Sequence, residues 1–270
     1  MRHKILITGG AGFIGYNSAI YFKKKNHKVF VLDNLSRKGV EKNKKKLSKK
    51  DIFFFKSDIL NFDQLLKLVK KIKPTIIIHQ AGQVTVTKSV LNPRYDLENN
   101  LIGTFNLLEC IRLLKLKCCF IYPSTNKVYG DLNKIKIRKG KTRYVFKNKK
   151  GINEHQPIDF HSPYGCSKGS ADQYVMDYSK TFNIKSFVVR QSCIYGPNQY
   201  GHEDQGWISW ILMCSIFEKK INIFGDGLQV RDILYIDDLI RLYESIILNL
   251  KNVQSCVINC VGCVKYSLSI

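Results

Sequence analysis

The chain has 270 residues, 44% hydrophobic and 24% charged, the balance of one globular domain with an added lobe and not of a disordered segment. Its apolar runs reach four to eight residues, far short of the roughly 20 that cross a bilayer, and the first begins at Lys4, which leaves no room for a signal peptide. Lys and Arg number 44 against 21 Asp and Glu, a net of +23; that excess raises nucleic-acid binding, but no helix-turn-helix, zinc-finger or RNA-binding signature accompanies it.

Lys4 to Thr8 reads as a buried parallel strand closed by Gly9 and Gly10. A helix over 13–25 follows, with lysines at its end where cations complement the dipole. Further strands are expected at Val29–Leu32, Ile52–Phe55, Thr75–Ile78, Cys118–Tyr122 and Ser186–Val189, with helices over 61–73, 94–115 and 164–182 between them. Between the second and third strands, residues 37–50 hold eight basic residues and one acid, Glu41; residues 134–150 hold nine and no acid. Both segments read as solvated charge. Strands alternating with helices predict right-handed βαβ units, an α/β fold of the Rossmann type with a doubly wound parallel sheet. After about residue 190 the pattern loosens, with helices near 206–219 and 237–249. The expected division is a Rossmann domain over 1–190, carrying a basic insertion at 132–150, and a smaller substrate lobe over 191–270. The nine cysteines are irregularly spaced, and Cys260 and Cys263 form a lone pair without a second. Reduced thiols in a cytoplasmic protein and no metal site are expected.

The chemistry starts at Gly9-Gly-Ala-Gly12-Phe13-Ile14-Gly15, which lies between a strand and a helix. Glycines there permit a tight turn, close approach of backbone amides to a pyrophosphate, and close packing of helix on strand; the helix N-terminus adds partial positive charge. Asp33 ends the second strand 18 residues after Gly15, where a ribose-binding acid belongs. A carboxylate there repels a 2′-phosphate and favours NAD over NADP, with Arg37 and Lys38 pulling mildly the other way. Asp58, at the end of the third strand, suits the adenine amino group, or an N-cap of the next helix. Tyr164-Gly-Cys-Ser-Lys168 puts a phenol and an ammonium on one helix face. A cation there favours phenolate, so Tyr164 can take a proton from a sugar hydroxyl. Ser124 and Thr125 end the fifth strand, where a hydroxyl can bond the reacting oxygen.

Together with Asn34, Ile59, His79-Gln80-Ala81-Gly82, Asn99-Asn100, Val128-Tyr-Gly130 and Arg190, these segments resemble the extended short-chain dehydrogenase/reductase superfamily, and within it the nucleotide-sugar epimerases, from residue 3 to about residue 245. The resemblance implies Thr125, Tyr164 and Lys168 as the catalytic group. It implies a tightly held NAD contacted by Gly9, Gly12, Phe13, Ile14, Gly15, Asp33, Asn34, Arg37, Asp58, Ile59, Gln80, Ala81, Gly82 and Asn99, with Tyr164 and Lys168. Phe224-Gly-Asp-Gly-Leu-Gln-Val-Arg231 is similar to the family's nucleotide-sugar element, which assigns Arg231 to the substrate phosphates. The Ser124–Asp131 string, the long segment before Gly151, and Asp204-Gln205-Gly-Trp207 resemble the CDP-tyvelose (CDP-paratose) 2-epimerases. Cys193 stands where 4-epimerases usually have Asn. Gln83, Thr125, Cys193, Gln205 and Trp207 complete the expected substrate side.

The implied reaction inverts a sugar carbon, C2 of CDP-paratose, through a transient keto-sugar with no net redox. It implies a cytoplasmic enzyme of lipopolysaccharide sugar supply, with no nucleic-acid or membrane partner and with a homodimer formed through helices 94–115 and 164–182. Val257-Ile-Asn259-Cys-Val-Gly262-Cys263 lacks most glycines of the family's terminal motif, so a truncated substrate lobe is expected. A UDP-glucose 4-epimerase, a dehydratase, an NAD-binding remnant and a basic nucleic-acid binder remain as alternatives. Asn126-Lys127 stands where a dehydratase wants an acidic pair.

Overall fold

The computed structural model describes residues 2–147, 151–223 and 225–269. The first half alternates as expected: β1 (Lys4–Thr8), α1 (Phe13–Lys24), β2 (Lys28–Asp33), α2 (Val40–Ser48), β3 (Phe53–Lys56), α3 (Phe62–Ile72) and β4 (Ile76–His79). Then come α4 (Val86–Leu91), α5 (Pro93–Leu97), α6 (Gly103–Leu113), β5 (Cys119–Thr125), β6 (Ile137–Lys139), β7 (Tyr144–Phe146), α7 (Ser162–Thr181) and β8 (Ser186–Gln191). The last part holds β9 (Cys193–Tyr195), α8 (Trp207–Ile216), β10 (Val230–Arg231), β11 (Ile233–Tyr235), α9 (Ile236–Leu248), β12 (Cys256–Cys260) and β13 (Leu268–Ser269).

Seven strands form one parallel sheet in the order β12-β8-β5-β4-β1-β2-β3. The strands are short apolar runs because both faces are covered. Ile5, Ile7, Val29, Val31, Ile76 and Ile78 face α1, α2 and α9. Leu6, Leu32, Ile77, Phe120 and Val188 face α3, α6 and α7. Each such side chain, fully buried, contributes roughly 1.5–3 kcal/mol of hydrophobic transfer. The order reverses between β1 and β4, and ligands in such sheets bind beyond the strand ends at that switch point.

Four local expectations change. The helix expected over 94–115 runs without a gap from Pro93 to Leu113, but α5 and α6 join through a π-bulge over Glu98–Ile102, a one-residue excess of the kind common at functional sites, and it buries Asn99 and Asn100. Residues 40–48 of the first basic run form α2, whose Val40, Asn43 and Leu47 are buried while the lysines face out. The second basic run pairs β6 with β7 as an antiparallel hairpin; residues 148–150 of that insertion lie outside the described residues. After residue 190 the chain does not leave the sheet for good, because β12 returns to pair with β8 from Cys256 to Cys260. The segment expected to be a degraded glycine motif is therefore an edge strand, and Gly262 after it is required, since a Cβ there would lie 1.8 Å from the Ile233 carbonyl oxygen.

Candidate functional site

The switch point carries a cleft of about 150 Å³, open to solvent. Gly9, Gly12, Phe13, Ile14, Gly15, Asp33, Asn34, Arg37, Ile59, Gln80, Ala81, Gly82 and Asn99 line it, so these sequence candidates come together in space. Gly9 has φ of +62°, and a Cβ there would lie 2.6 Å from the Ala81 amide nitrogen. A Cβ on Gly15 would lie 2.3 Å from the Gly9 carbonyl oxygen, so this glycine lets α1 close onto β1. Gly12 caps α1 without a side-chain hydrogen bond, and the first turn of α1 holds no acid. The leading amides of α1 are thus left to an anion.

Asp33 is buried at the end of β2. Its Oδ2 accepts from the Ala11 amide at 2.9 Å and its Oδ1 from the Leu35 amide at 2.8 Å. Burial raises its pKa above the ordinary carboxylate value, against the pull of those amides and of Arg37. Asp58 lies outside the lining; its Oδ2 accepts from Asn34 Nδ2 at 2.8 Å and its Oδ1 from the Leu60 amide at 2.9 Å. The N-cap of α3 is Asn61, which accepts from the Gln64 amide, so the capping role read for Asp58 is corrected. Sequence reasoning passed over Ser57, Val84 and Tyr95, which also line the cleft. The Ser57 hydroxyl is buried with no hydrogen-bond partner among the described residues, and its place beside Asp58 was the available signal.

A strap over 197–205 crosses the cleft mouth. Pro197 accepts from Asn17 Nδ2 at 2.9 Å, Asn198 accepts from Lys46 Nζ at 2.7 Å, Tyr200 packs on Gly39 and lies under Lys42 Nζ, and Asp204 accepts from the Thr87 hydroxyl at 3.1 Å. Gln205, at its end, lines the cleft. The residues present fit a dinucleotide: open helix amides for phosphates, an acid at the end of β2 for a ribose, and an orphaned serine hydroxyl beside them.

Thr125, Tyr164 and Lys168 stand together at the ends of β5 and α7, next to the cleft but outside its lining. The Thr125 hydroxyl hydrogen-bonds the Tyr164 phenol. Lys168 Nζ lies 4.3 Å from the centre of the Tyr122 ring. Burial pushes Tyr164 up to about 12, with the Thr125 bond working against it and Asp96 with it. Burial brings Lys168 down to about 7, opposed by Asp172 and Asp96. The expected lowering of Tyr164 is therefore corrected: removal from water raises it, and the group that works against the rise is Thr125. Beneath them Ser124 donates to Asp172 Oδ2 at 2.7 Å, and Arg190 grips Asp172 at 2.9 and 3.1 Å.

The substrate-side candidates disperse. Gln83 turns inward, with its amide spent on Thr85 and Asp96. Cys193 is half-buried on β9 and donates its backbone N–H to the Asp232 carbonyl at 3.2 Å. Trp207 opens α8, and its indole N–H is buried without a partner among the described residues. Arg231 is exposed on β10, and its guanidinium donates to the Val230 carbonyl at 3.1 Å. Phe224, which opened the expected nucleotide-sugar element, lies outside the described residues.

The sequence pattern of the NAD dependent epimerase/dehydratase family matches residues 5–260, and the chain belongs to that family. It is an enzyme, with NAD as its cofactor. It is 42% identical over 274 aligned residues to CDP-paratose 2-epimerase of Salmonella typhi, covering 99% of this chain and 81% of that relative. It is 34% identical over 248 residues to the putative UDP-glucose 4-epimerase of Methanocaldococcus jannaschii, covering 92% of this chain and 74% of the relative. Its fold superposes on the crystal structure of UDP-glucuronic acid 4-epimerase from Bacillus cereus, in complex with UDP-glucuronic acid and NAD, with a TM-score of 0.82 at 30% identity; the match covers 99% of this chain and 79% of that one.

Proposed function

We propose that this chain epimerises a nucleotide-diphosphate sugar at C2, interconverting CDP-paratose and CDP-tyvelose. The observation that carries the reading is the 42% identity to a CDP-paratose 2-epimerase over 99% of the chain. Asn126-Lys127 after Thr125 supports it against a dehydratase, which needs acids there.

In this reading NAD is held by the α1 amides, Asp33 and the walls of the cleft, with Asp58 acting through Asn34, and when bound it supplies a reversible hydride acceptor. Tyr164 takes the proton of the sugar hydroxyl and later returns it. Thr125 donates to the phenol oxygen and steadies its charged form. Lys168 supplies positive charge and ribose contacts. Gln205 reaches the nucleotide sugar from the 191–270 lobe, Arg231, Cys193 and Trp207 of the same lobe are assigned to it by the resemblance, and Gln83 braces the site from inside. Tyr164 starts near 12, so it reaches a working state only as positive charge enters the cleft with its ligands.

A homodimer through α4–α6 and α7 is part of the same proposal. Val90 and Leu91 on α4, Ile102 before α6, Tyr174 on α7 and Phe182 just after it are exposed apolar side chains, which support such an interface. Cytoplasmic placement belongs to it too, resting on the irregular cysteine spacing.

Incubation with CDP-paratose, CDP-tyvelose and UDP-glucose, followed by separation of products, tests the reading. Interconversion of the two CDP-sugars is expected. Conversion of UDP-glucose alone assigns the chain to the 4-epimerases, the second reading, which its 34% identity to a putative UDP-glucose 4-epimerase favours.

A further inference from the structure

The turn that carries Tyr164 and Lys168 rests on a carboxylate that the reaction scheme does not use. Asp96, on α5, is fully buried. Its Oδ1 accepts from Gln83 Nε2 at 2.9 Å and from Asn100 Nδ2 at 3.2 Å, and its Oδ2 accepts from the Ser167 hydroxyl. Ser167 directly precedes Lys168, and its Oγ also lies 3.2 Å from the Tyr164 carbonyl oxygen. On the other side of the same turn, the Tyr164 amide donates to Ser89 Oγ at 3.1 Å. His161, which opens α7, makes no side-chain cap bond, and within the first turn Ser162 Oγ accepts from the Gly165 amide at 3.3 Å; the bonds from α4 and α5 tie that turn to the rest of the site.

The charges divide unequally. Two buried carboxylates act on Lys168: Asp172, one turn along α7, and Asp96 from α5. Asp172 is already paired with Arg190 through two hydrogen bonds. All three hydrogen-bond donors to Asp96 are neutral, and among the described residues no cation forms a salt bridge with it. Its field therefore falls on Lys168, the cation that acts on it. The other groups facing Lys168 are the Tyr122 ring from β5, neutral His79 from β4 and Tyr164 on its own helix.

We propose that Asp96 is a positioning residue for the catalytic turn: through Ser167 it fixes the place of Tyr164 and Lys168, and it sets a buried carboxylate, whose hydrogen-bond donors are all neutral, to act on Lys168. The role rests on the reading of Tyr164 and Lys168 as the catalytic pair. It gives a role to a carboxylate that is fully buried without a salt bridge among the described residues. Burial raises Asp96 above the ordinary carboxylate value, and the bonds from Ser167, Asn100 and Gln83, with the charge of Lys168, work against that rise, since hydrogen bonds to the charged form favour it.

The test needs no substrate for its main readout. NAD-loaded protein labelled with [ε-¹³C]lysine is titrated by NMR, and the Lys168 signal is identified by its loss in K168R. In Asp96→Asn the Lys168 midpoint falls by ~1 unit, the size of effect a close opposite charge has, while Asp96→Glu returns it toward the wild-type value. With a midpoint near neutrality, that shift lowers kcat at pH 7 about fivefold through the ammonium fraction, and KM stays within about twofold because Asp96 touches no substrate. Ser167→Ala, which releases the anchor and keeps the charge, lowers kcat several-fold with the Lys168 midpoint unmoved. A folded D96N protein with the wild-type Lys168 midpoint overturns the proposal. If D96N does not fold, wild-type kcat in S167A overturns it. Absence of turnover by the wild-type chain on any nucleotide sugar defeats the epimerase reading instead and leaves the titration to decide the role of Asp96.

Discussion

Replacing Asp172 by Ala isolates the cost of the buried ion pair at the centre of the site. Asp172 and Arg190 are 1% and 5% exposed at their side chains. The carboxylate accepts two bonds from Arg190 and one from Ser124, and Arg190 also donates to the Tyr129 hydroxyl at 3.0 Å. Burial works against the charge on Arg190, but Asp172 and Tyr129 outweigh it and hold the guanidinium above its ordinary value. Asp172→Ala therefore strands a cation that cannot shed its proton. Breaking a buried pair in this way costs about 3–5 kcal/mol. At roughly 2–4 °C per kcal/mol for a chain of this size, the midpoint of thermal unfolding drops by about 6–20 °C. Calorimetry on the NAD-free protein measures it without any assumption about substrate. The double variant D172L/R190M, with both charges replaced by apolar groups, recovers most of the loss, because the desolvation cost disappears along with the attraction. A single variant that loses under about 2 °C, or a double variant as unstable as the single, refutes the argument.

The steric and titration results give further tests. Gly15→Val places side-chain atoms where the Gly9 carbonyl already stands 2.3 Å from a Cβ, so the purified protein carries NAD at well under a tenth of the wild-type occupancy; nucleotide released on denaturation and quantified enzymatically is the measure. Tyr200→Ala removes the ring that packs on Gly39 and under Lys42, and NAD dissociation followed by cofactor fluorescence quickens at least about tenfold, a loss of about 1.4 kcal/mol. His79 is held neutral down to about 3 by burial, with Lys168 adding to the effect. The unfolded chain takes up that proton from about pH 6.5 downward and the folded chain does not, so stability falls as pH drops through that window, and His79→Asn flattens the slope in denaturant titrations. Lys168 is lowered to about 7, so the unfolded chain holds its proton where the folded one has lost it, and this group raises stability between about pH 7 and 9; K168M removes that rise. Above pH 9 the opposite sign enters through Cys110, Cys119 and Cys260, whose thiols burial pushes up to about 12.

The parallel sheet was legible because each strand is a continuous apolar run between turn residues, and the glycine loop because its spacing is tied to backbone geometry. Asp33 was legible for the same reason, since a strand end fixes its distance from Gly15. The strand at 256–260 was not, because Cys256-Val-Ile-Asn-Cys260 mixes polar and apolar residues, and its Asn259 is committed to Tyr129 and Ile152 rather than to a turn. The π-bulge at 98–102 was hidden because it keeps helical composition and differs only in register. Gln83 followed the site motif in sequence but faces inward, since only the packing of α5 decides which way its amide turns. Asp96 carried no signal of its own: on a short helix rich in polar residues it reads as solvated, and its role follows from the approach of α7, many residues later.

The excess positive charge illustrates the same dependence on tertiary context. The lysines of 37–50 are not uniformly solvated. Lys42 lies over Tyr200, Lys44 over Phe54 and Lys46 over Tyr16, while Lys46 also bonds Asn198 of the strap. Their stems cover aromatic surface while their charges stay wet, and two of them tie the strap to α2 at the mouth of the cleft. In the second basic segment Lys139 pairs with Asp226, and Arg143 donates to Ser267, so the hairpin joins the elements around β10 and β13. A surface evolved to read nucleic acid needs its cations free to meet phosphates. Several of these are already engaged with rings and loops of the same chain, and those nearest the cleft stand where a doubly charged dinucleotide enters. Lys42, Lys44, Lys46, Lys139 and Arg143 thus brace loops of their own chain, a use of the charge that its distribution along the sequence does not show.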